Sequence, residues 1–252
     1  MIAMAETVLQ TENLSKKFGD FTAVDGVDFA IERGEVEALI GPNGAGKTTF
    51  QNLITGKLDP TEGRVLFDGD DITALDPHQR ARRGIVRKYQ ITSVYESESV
   101  VENIRIALRG RNSTPWSLFR THSDDDITDR IDELLDIANL RSEQATVAKN
   151  LSYGEKQWLE IVMAVGANPD LLLLDEPTSG MSVGETNETI ELIERIRENE
   201  DVSLLVIEHD MEFIRNVSNS LTVLHHGEII ARGTAAEIES NEKVQQVYLK
   251  GE

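Results

Sequence analysis

The sequence predicts an α/β fold, in which a β-rich beginning and a helical insert flank one core of parallel strands covered by helices. From residue 171 onward, apolar runs such as LLLLDE and SLLVIEH alternate with helical stretches such as TIELIERIRE. This alternation is typical of a parallel sheet covered by helices. Residues 6–40 contain short apolar runs broken by glycines, which is typical of strands and hairpins. Between about 97 and 150, apolar residues recur every three or four positions, which indicates helices.

Glycines and turn residues indicate where the individual elements begin and end. Strands are expected over residues 8–14, 27–31 and 36–40, because glycines separate these apolar runs. A helix through FQNLITG is expected to end near Gly56. Residues 63–75 are expected to form strands around the turn FDGDD.

One domain is expected over residues 1–252. Its β-rich and α/β core covers about 6–91 and 166–252, and a helical subdomain covers about 92–165.

Composition excludes several classes of site. Of the 252 residues, 39% are hydrophobic and 28% are charged, which predicts a packed globular protein. The chain has no cysteine, so disulfides, thiolate zinc sites and cysteine nucleophiles are excluded. No apolar run in the sequence approaches the ~20 residues of a membrane helix, so no membrane span is expected. The N-terminus has neither a basic region nor an extended apolar run, so no signal peptide is expected.

The chain is strongly acidic, with 45 acidic and 25 basic residues and a net charge of −20. Repulsion from phosphates argues against nucleic acid as a partner. The acids are spread along the chain, and we interpret this as adaptation to a high-salt cytoplasm, where screening shortens self-repulsion. An ordinary acidic mesophilic protein is the alternative.

The segment GPNGAGKTT, residues 41–49, fits the pattern G-x-x-x-x-G-K-[ST] between a predicted strand and a predicted helix. In this pattern the glycines let backbone N–H groups turn toward phosphates, Lys47 contacts the β and γ oxygens, and the Thr48 hydroxyl binds Mg²⁺. The alternative is a chance glycine-rich turn, which the flanking strand and helix disfavour. We call residues 41–49 the phosphate loop.

Two acidic residues follow the apolar run 171–174. Asp175 is expected at the carboxyl end of a buried strand, where open α/β sheets bind ligands. We predict that Asp175 holds the Mg²⁺ shell and that Glu176 polarises an attacking water. Alone, this pair would fit a strand-end turn closed by Pro177. His209 follows another apolar strand and can face the same crevice, although a lone histidine is more often an ordinary turn or core residue.

The segment LSYGE, residues 151–155, opens a predicted helix and is called the signature turn below. Ser152 and Glu155 fit a capping box. Gly154 is unusual there, because glycine in a first turn costs up to ~1 kcal/mol relative to alanine. A glycine beside a cap allows close approach to free N–H groups, and such a helix N-terminus attracts anions.

Together, GPNGAGKTT, Gln90 in RKYQ, LSYGE, LLLLDEP and VIEHD resemble, in this order, the ATP-binding subunit of ABC transporters. The resemblance covers essentially the whole chain. It implies a P-loop NTPase (RecA-like) core with an N-terminal antiparallel β subdomain and an inserted helical subdomain. It also implies that two subunits meet head to tail, so that each signature turn holds the γ-phosphate of the ATP on its partner.

The resemblance further assigns roles to single residues. Phe18 would stack on adenine, Gln90 would sense Mg²⁺ and the attacking water, and His209 would hold the γ-phosphate and Glu176. Tyr153 and Glu155 depart from the family's LSGGQ-type pattern, and Ser182 stands where the family usually has aspartate, which puts signalling across the dimer in doubt. The predicted ATP-binding residues are Phe18, Gly41, Pro42, Asn43, Gly44, Ala45, Gly46, Lys47, Thr48, Thr49, Ser152, Gly154 and Glu155. The predicted catalytic residues are Glu176, His209, Lys47 and Gln90, and the predicted metal ligands are Thr48, Gln90 and Asp175.

Within the family, the segments around residues 71–90 and 233–252 resemble importers of hydrophobic amino acids and amides. RKYQ, LSYGEKQWLEI, DEPTSGM and VIEHDMEFI are most similar to an ATPase of the urea-type importer. This implies a second ATPase subunit, two permease subunits, an extracytoplasmic binding protein and a place on the cytoplasmic face of the membrane. A soluble ABC ATPase of translation or repair is the alternative, but a translation ATPase would normally carry two cassettes and a repair ATPase a long coiled coil.

A basic cluster, Arg80, Arg82, Arg83, Arg87 and Lys88, lies in this acidic chain. A solvated face paired with nearby acids is the favoured interpretation. Contact with a permease loop or with anionic lipid head groups is the second interpretation, and a nucleic-acid patch is the third, given the net charge. His225 and His226 are expected on one strand, facing opposite sides, and receive no role.

Overall fold

A six-stranded sheet forms the centre of the protein in a computed structural model that describes residues 6–88, 94–111 and 124–250. Its strand order is β10-β9-β3-β8-β7-β6, and neighbouring strands are parallel except β10, which runs antiparallel to β9. The strands are β3 (Val36–Ile40), β6 (Ile85–Arg87), β7 (Leu171–Asp175), β8 (Ser203–Ile207), β9 (Ser220–His225) and β10 (Glu228–Gly233).

A second, antiparallel sheet has the order β2-β1-β4-β5. It contains β1 (Thr7–Phe18), β2 (Phe21–Glu32), β4 (Glu62–Phe67) and β5 (Asp70–Asp71). The long β1–β2 hairpin accounts for the glycine-broken apolar runs near the N-terminus. The FDGDD turn forms as predicted, with Asp68 and Gly69 at φ values of 50° and 79°.

Helices connect the parallel strands and cover the central sheet. They are α1 (Lys47–Ile54), α2 (Pro77–Arg82), α3 (Val100–Arg111), α4 (Asp124–Ile137), α5 (Tyr153–Gly166), α6 (Val183–Asn199), α7 (Met211–Val217), α8 (Ala235–Ser240) and α9 (Glu242–Lys250). No helix in the described ranges is long and apolar enough to span a membrane.

The central sheet is buried on both faces, and alternate residues of each strand enter two hydrophobic clusters. On β7, Leu172 and Leu174 pack with residues of α3 to α7, whereas Leu171 and Leu173 pack with α1 and the antiparallel sheet. Within the second cluster, the rings of Phe29 and Phe50 meet edge to face at 5.2 Å. Burial on both faces explains why the strands are nearly continuous apolar runs.

Helix α1 ends as predicted, with Gly56 at φ 74° just after the C-terminal cap Thr55.

Several other elements were not expected from the sequence pattern. The short helices α2, α8 and α9 and the edge strand β10 were missed, since each offers too few periodic residues. The strand prediction for 63–75 was wrong beyond β5. The division into subdomains at residues 92 and 165 stays a prediction.

The interpretation of the basic cluster as a solvated or docking face was wrong for three of its members. Arg80, Arg87 and Lys88 are only 1%, 3% and 7% exposed. Arg80 donates to the carbonyls of Leu53 and Ile54 at the end of α1, at 2.6 and 2.8 Å. Arg80 therefore ties α2 to the end of α1, Arg87 and Lys88 pair with Asp175 and Glu160, and Arg82 and Arg83 remain exposed.

The histidine pair also differs from the prediction. His225 ends β9, but His226 lies in the following turn at φ 49°. The two rings lie 4.0 Å apart between centroids, so they contact each other and do not face opposite sides of a strand.

Candidate nucleotide-binding site

The phosphate loop connects the end of β3 to the start of α1. Gly41 and Gly46 have φ values of 155° and 106°. A Cβ atom would lie 2.1 Å from the Leu224 carbonyl oxygen at Gly41, and 2.4 Å from the Ala23 carbonyl oxygen at Gly46. Backbone atoms cannot give way as a flexible side chain can, so only glycine fits at either position.

The N-terminus of α1 is open. Its N-cap residue, Gly46, supplies no side-chain hydrogen bond, and the first turn of α1 contains no acidic residue. Five other described helices have a side-chain N-cap. The free N–H groups and the positive end of the helix dipole at α1 fit a bound phosphate. The capping residues of the other five are Asp76, Ser152, Ser182, Asp210 and Thr234.

Lys47 bends back over this loop. Its ammonium group donates to the carbonyls of Gly41 and Pro42, the latter at 3.1 Å. Burial lowers the pKa of Lys47, while the charges of Glu176 and Asp175 act to raise it. Both predicted acidic residues therefore act electrostatically on Lys47, as expected of groups at the same edge of the sheet.

Asp175 ends β7 and is held by a residue that the motifs did not indicate. Its Oδ2 atom accepts a hydrogen bond from Arg87 Nη2 at 2.7 Å. Arg87, on β6, also donates to Asn52 Oδ1 of α1 at 3.0 Å. One signal was available in the sequence, because an arginine inside the buried run IVRK must find a partner.

Glu176 follows in a left-handed backbone conformation at φ 45°, which is uncommon outside glycine. Its backbone N–H donates to the Ile207 carbonyl at the end of β8, at 2.8 Å. His209 lies two residues beyond Ile207, and its side chain is 72% exposed. The ends of β7 and β8 thus bring Glu176 and His209 to the same edge of the sheet as the phosphate loop.

Comparisons with known proteins agree with this geometry. A family model described as ABC transporter matches residues 24–179. The chain is 34% identical over 252 residues to the high-affinity branched-chain amino acid transport ATP-binding protein BraF of Pseudomonas aeruginosa, covering 98% of this chain and 99% of that protein. The same identity and coverage hold for LivG of Escherichia coli.

The chain belongs to the ABC transporter family. Among solved structures, the ADP conformation of MJ1267, an ATP-binding cassette of an ABC transporter, superposes with a TM-score of 0.82 at 32% identity, covering 96% of this chain and 98% of that one. The cbiO1 protein of Clostridium perfringens, part of the ABC transporter complex cbiONQ, superposes with a TM-score of 0.80 at 26% identity, covering 97% and 96%. The predicted fold class is confirmed, and the protein is an ATPase of this family.

The signature turn of this ABC protein forms the predicted capping box. Ser152 Oγ accepts from the Glu155 N–H at 3.2 Å, and Glu155 Oε2 accepts from the Ser152 N–H at 2.7 Å. The Gly154 N–H donates to Glu185 Oε1 at 3.2 Å. The Gly154 N–H, which was expected to be free for an incoming anion, therefore already donates to the Glu185 carboxylate of the same chain.

Glu185 belongs to a second capping box, at the start of α6. Its carboxylate accepts from the backbone N–H of Ser182, at 2.9 Å, and Ser182 Oγ caps α6 in return. These bonds, with Gly154 contributing least, lower the pKa of Glu185. The Tyr153 ring lies against Gly180, where a Cβ would meet Cε1 at 3.6 Å. The first turns of α5 and α6 are thus joined, and Ser182 serves α6 as an aspartate would.

The other predicted site residues are placed as follows. Phe18 ends β1 and is 47% exposed, with Lys16 Nζ 5.4 Å from its ring centroid. Asn43, Gly44 and Thr48 are exposed on the phosphate loop. Gln90 lies outside the described residues. The individual roles of all these residues stay predictions.

Proposed function

We propose that this subunit powers an ABC importer for branched-chain amino acids or amides such as urea. The observation that carries the proposal is its similarity to BraF and LivG over nearly the full length of all three chains. Their names favour branched-chain amino acids, whereas the resemblance of RKYQ and VIEHDMEFI to the urea-type importer favours urea.

The partners follow from the importer proposal. A second ATPase subunit, with a heterodimer favoured over a homodimer, would dock with this one on two permease subunits at the cytoplasmic face of the membrane. An extracytoplasmic binding protein would deliver the substrate. Nucleic acid has no part in this function.

The chemistry would be divided between two subunits. The phosphate loop and Lys47 would bind the ATP phosphates, and Phe18 would stack on the base. Ser152 and Gly154 of the second subunit would complete the site. In support, no hydrogen bond within the described part of the chain joins the signature turn to its own phosphate loop. The Gly154 N–H is bonded to Glu185 within the subunit, so the γ-phosphate of the second subunit's ATP would have to displace that carboxylate.

Magnesium fits the oxygen donors of the phosphate loop and of the end of β7. Thr48 and Asp175 offer oxygen atoms, which Mg²⁺ prefers, and Arg87 fixes the orientation of the Asp175 carboxylate. Bound Mg²⁺ would neutralise charge that develops on the phosphates. Glu176 would polarise the attacking water, and His209 would orient the γ-phosphate. Gln90 would contact both Mg²⁺ and the permease.

The experiment is uptake into proteoliposomes. The subunit is co-purified with candidate permease subunits from the same organism, and ATP-dependent uptake of radiolabelled leucine and urea is measured with a candidate binding protein present. Lys47→Ala, which should not hydrolyse ATP, is the negative control. Lys47-dependent uptake of either substrate supports the importer proposal. An assembly that hydrolyses ATP but moves neither compound would count against the proposed substrate class.

We also propose that the protein comes from a high-salt cytoplasm. The support is its net charge of −20 spread along the chain. Salt shortens the reach of that repulsion from ~10 Å at 0.1 M to ~3 Å at 1 M.

A further inference from the structure

Glu208 is a buried carboxylate between Ile207 and His209, and no role has been assigned to it. Its side chain is only 1% exposed. Oε1 accepts from the backbone N–H of Thr178 at 3.1 Å and also from the Thr178 hydroxyl. Oε2 accepts from the backbone N–H of His209 at 2.9 Å. A buried charge with this many donors is held in one orientation.

These hydrogen bonds join two segments that carry predicted catalytic groups. Thr178 lies two residues beyond Glu176, and the Ser179 N–H donates back to the Glu176 carbonyl at 3.1 Å. Glu176 itself donates to the Ile207 carbonyl, so the turn after β7 is tied to the end of β8 at two points. A left-handed backbone conformation at a residue other than glycine, such as that of Glu176, is strained and persists only where its surroundings determine it.

We propose that Glu208 is a positioning residue for ATP hydrolysis. One carboxylate oxygen holds the turn that orients Glu176, and the other holds the backbone of His209, so the two groups keep a fixed mutual geometry. This inference rests on the proposed roles of Glu176 and His209. Glu208 touches neither nucleotide nor water in this scheme.

Conservative variants separate positioning from simple stabilisation. In Glu208→Gln, the amide oxygen can still accept from Thr178, but the amide nitrogen cannot accept from the His209 N–H. Thr178→Val removes only the hydroxyl donor, whereas Thr178→Ser keeps it. Glu37→Gln is the matched control. Glu37 is also a 2% exposed glutamate of the central sheet and accepts from Ser220, Thr222 and Arg232, but it lies near the start of β3, away from the phosphate loop.

The measurement is ATPase kinetics of the full chain, at a protein concentration where activity per subunit no longer rises, together with melting temperatures. We expect Glu208→Gln to lower kcat on the order of tenfold to a hundredfold, the range found for groups that orient site residues. KM for MgATP should stay within about twofold, because nucleotide affinity rests on the phosphate loop. Thr178→Val should lose part of kcat, and Thr178→Ser should restore it.

Glu37→Gln should lower the melting temperature and leave kcat unchanged. Wild-type kcat in Glu208→Gln would overturn the proposal, as would equal losses of kcat in Glu37→Gln and Glu208→Gln. If Glu208→Gln does not fold, the Thr178→Val and Thr178→Ser pair decides the matter, and equal kcat values in the two would overturn it.

A Glu176→Gln arm separates this proposal from the proposed chemistry. Full turnover in Glu176→Gln would mean that the assignment of the water-polarising residue fails, whatever Glu208→Gln does. An inactive Glu176→Gln beside a fully active Glu208→Gln would mean that only the positioning role fails.

Discussion

Replacing the buried Arg80 should destabilise the protein strongly, and Arg80→Met tests this directly. Its guanidinium donates to the carbonyls of Leu53, Ile54, Thr73 and Leu75 at 2.6, 2.8, 2.8 and 3.0 Å. Methionine preserves the apolar stem but leaves these acceptors without their donor, at roughly 1–3 kcal/mol for each buried acceptor. Burial opposes the cation, lowering the pKa of Arg80 to about 10, so part of the loss is offset.

The expected net loss for Arg80→Met is about 3 kcal/mol, somewhat below the smallest sum of these costs, because removing the cation also removes the cost of burying its charge. For a protein of this size, this corresponds to a fall in melting temperature of roughly 6–12 °C. Arg83→Met is the matched control, because Arg83 belongs to the same basic cluster but forms an exposed pair with Asp70 at 2.8 Å. Such pairs contribute ~0–1 kcal/mol.

The assay is urea denaturation followed by circular dichroism, with both variants compared to the wild type under identical conditions. Loss of stability confined to Arg80→Met is expected. Equal stabilities of Arg80→Met and Arg83→Met would refute the conclusion that the hydrogen bonds from Arg80 to the end of α1 stabilise the protein.

Three further predictions concern the signature turn, the core and the surface charge. Gly154→Ala should weaken ATP-driven dimerisation in sedimentation experiments, because its Cβ would lie 2.7 Å from Glu185 Oε1 and would crowd the signature turn. The ATP affinity of the dilute monomer should not change. Gly184→Ala is the control, because its Cβ would come no nearer than 4.0 Å to Ser182 Oγ, and it should not affect dimerisation. A large loss of monomer affinity in Gly154→Ala would mean that the turn serves its own nucleotide. Gln51→Leu should raise the free energy of unfolding by about 1–3 kcal/mol, since the fully buried Gln51 amide has no hydrogen-bond partner among the described residues. An unchanged or lower value in urea denaturation would mean that the amide does have hydrogen-bond partners. The melting temperature should rise between 0.1 and 2 M KCl as salt screens the net charge of −20, and a flat or falling profile would remove the high-salt interpretation while leaving the ATPase assignment intact.

Features set by neighbouring residues were predictable from the sequence. The phosphate loop was predictable because four of the five residues 36–40 are apolar and the glycines that follow allow the tight turn. The capping box of Ser152 and Glu155 forms because its partners are three residues apart on one turn of helix. The acidic end of β7 follows from the same local logic, since the apolar run stops at Asp175.

Contacts between distant segments were not predictable in this way. Arg87 reaches Asp175 across 88 positions, and Glu208 reaches Thr178 across 30. Both pairs form only because the sheet order places β6 beside β7 and β7 beside β8. The charge of Arg80 suggested an exposed position, but its long side chain donates to the carbonyl of Ile54, 26 positions earlier, at the end of α1. Burial of a charged residue depends on tertiary partners, which no spacing in the sequence specifies.

The central claim, that this protein hydrolyses ATP with Glu176 acting on the attacking water, is tested most directly by Glu176→Gln. The amide keeps the size of the side chain but cannot polarise water as a carboxylate does, so turnover should fall on the order of 10²- to 10⁴-fold. Binding of MgATP should remain, because the phosphate loop and Lys47 are untouched, and ATP should hold the variant as a stable dimer. The measurement is single-turnover hydrolysis on the full chain, with nucleotide affinity determined on the same preparation. Retained binding with abolished turnover is the predicted result, and hydrolysis at the wild-type rate would contradict the account.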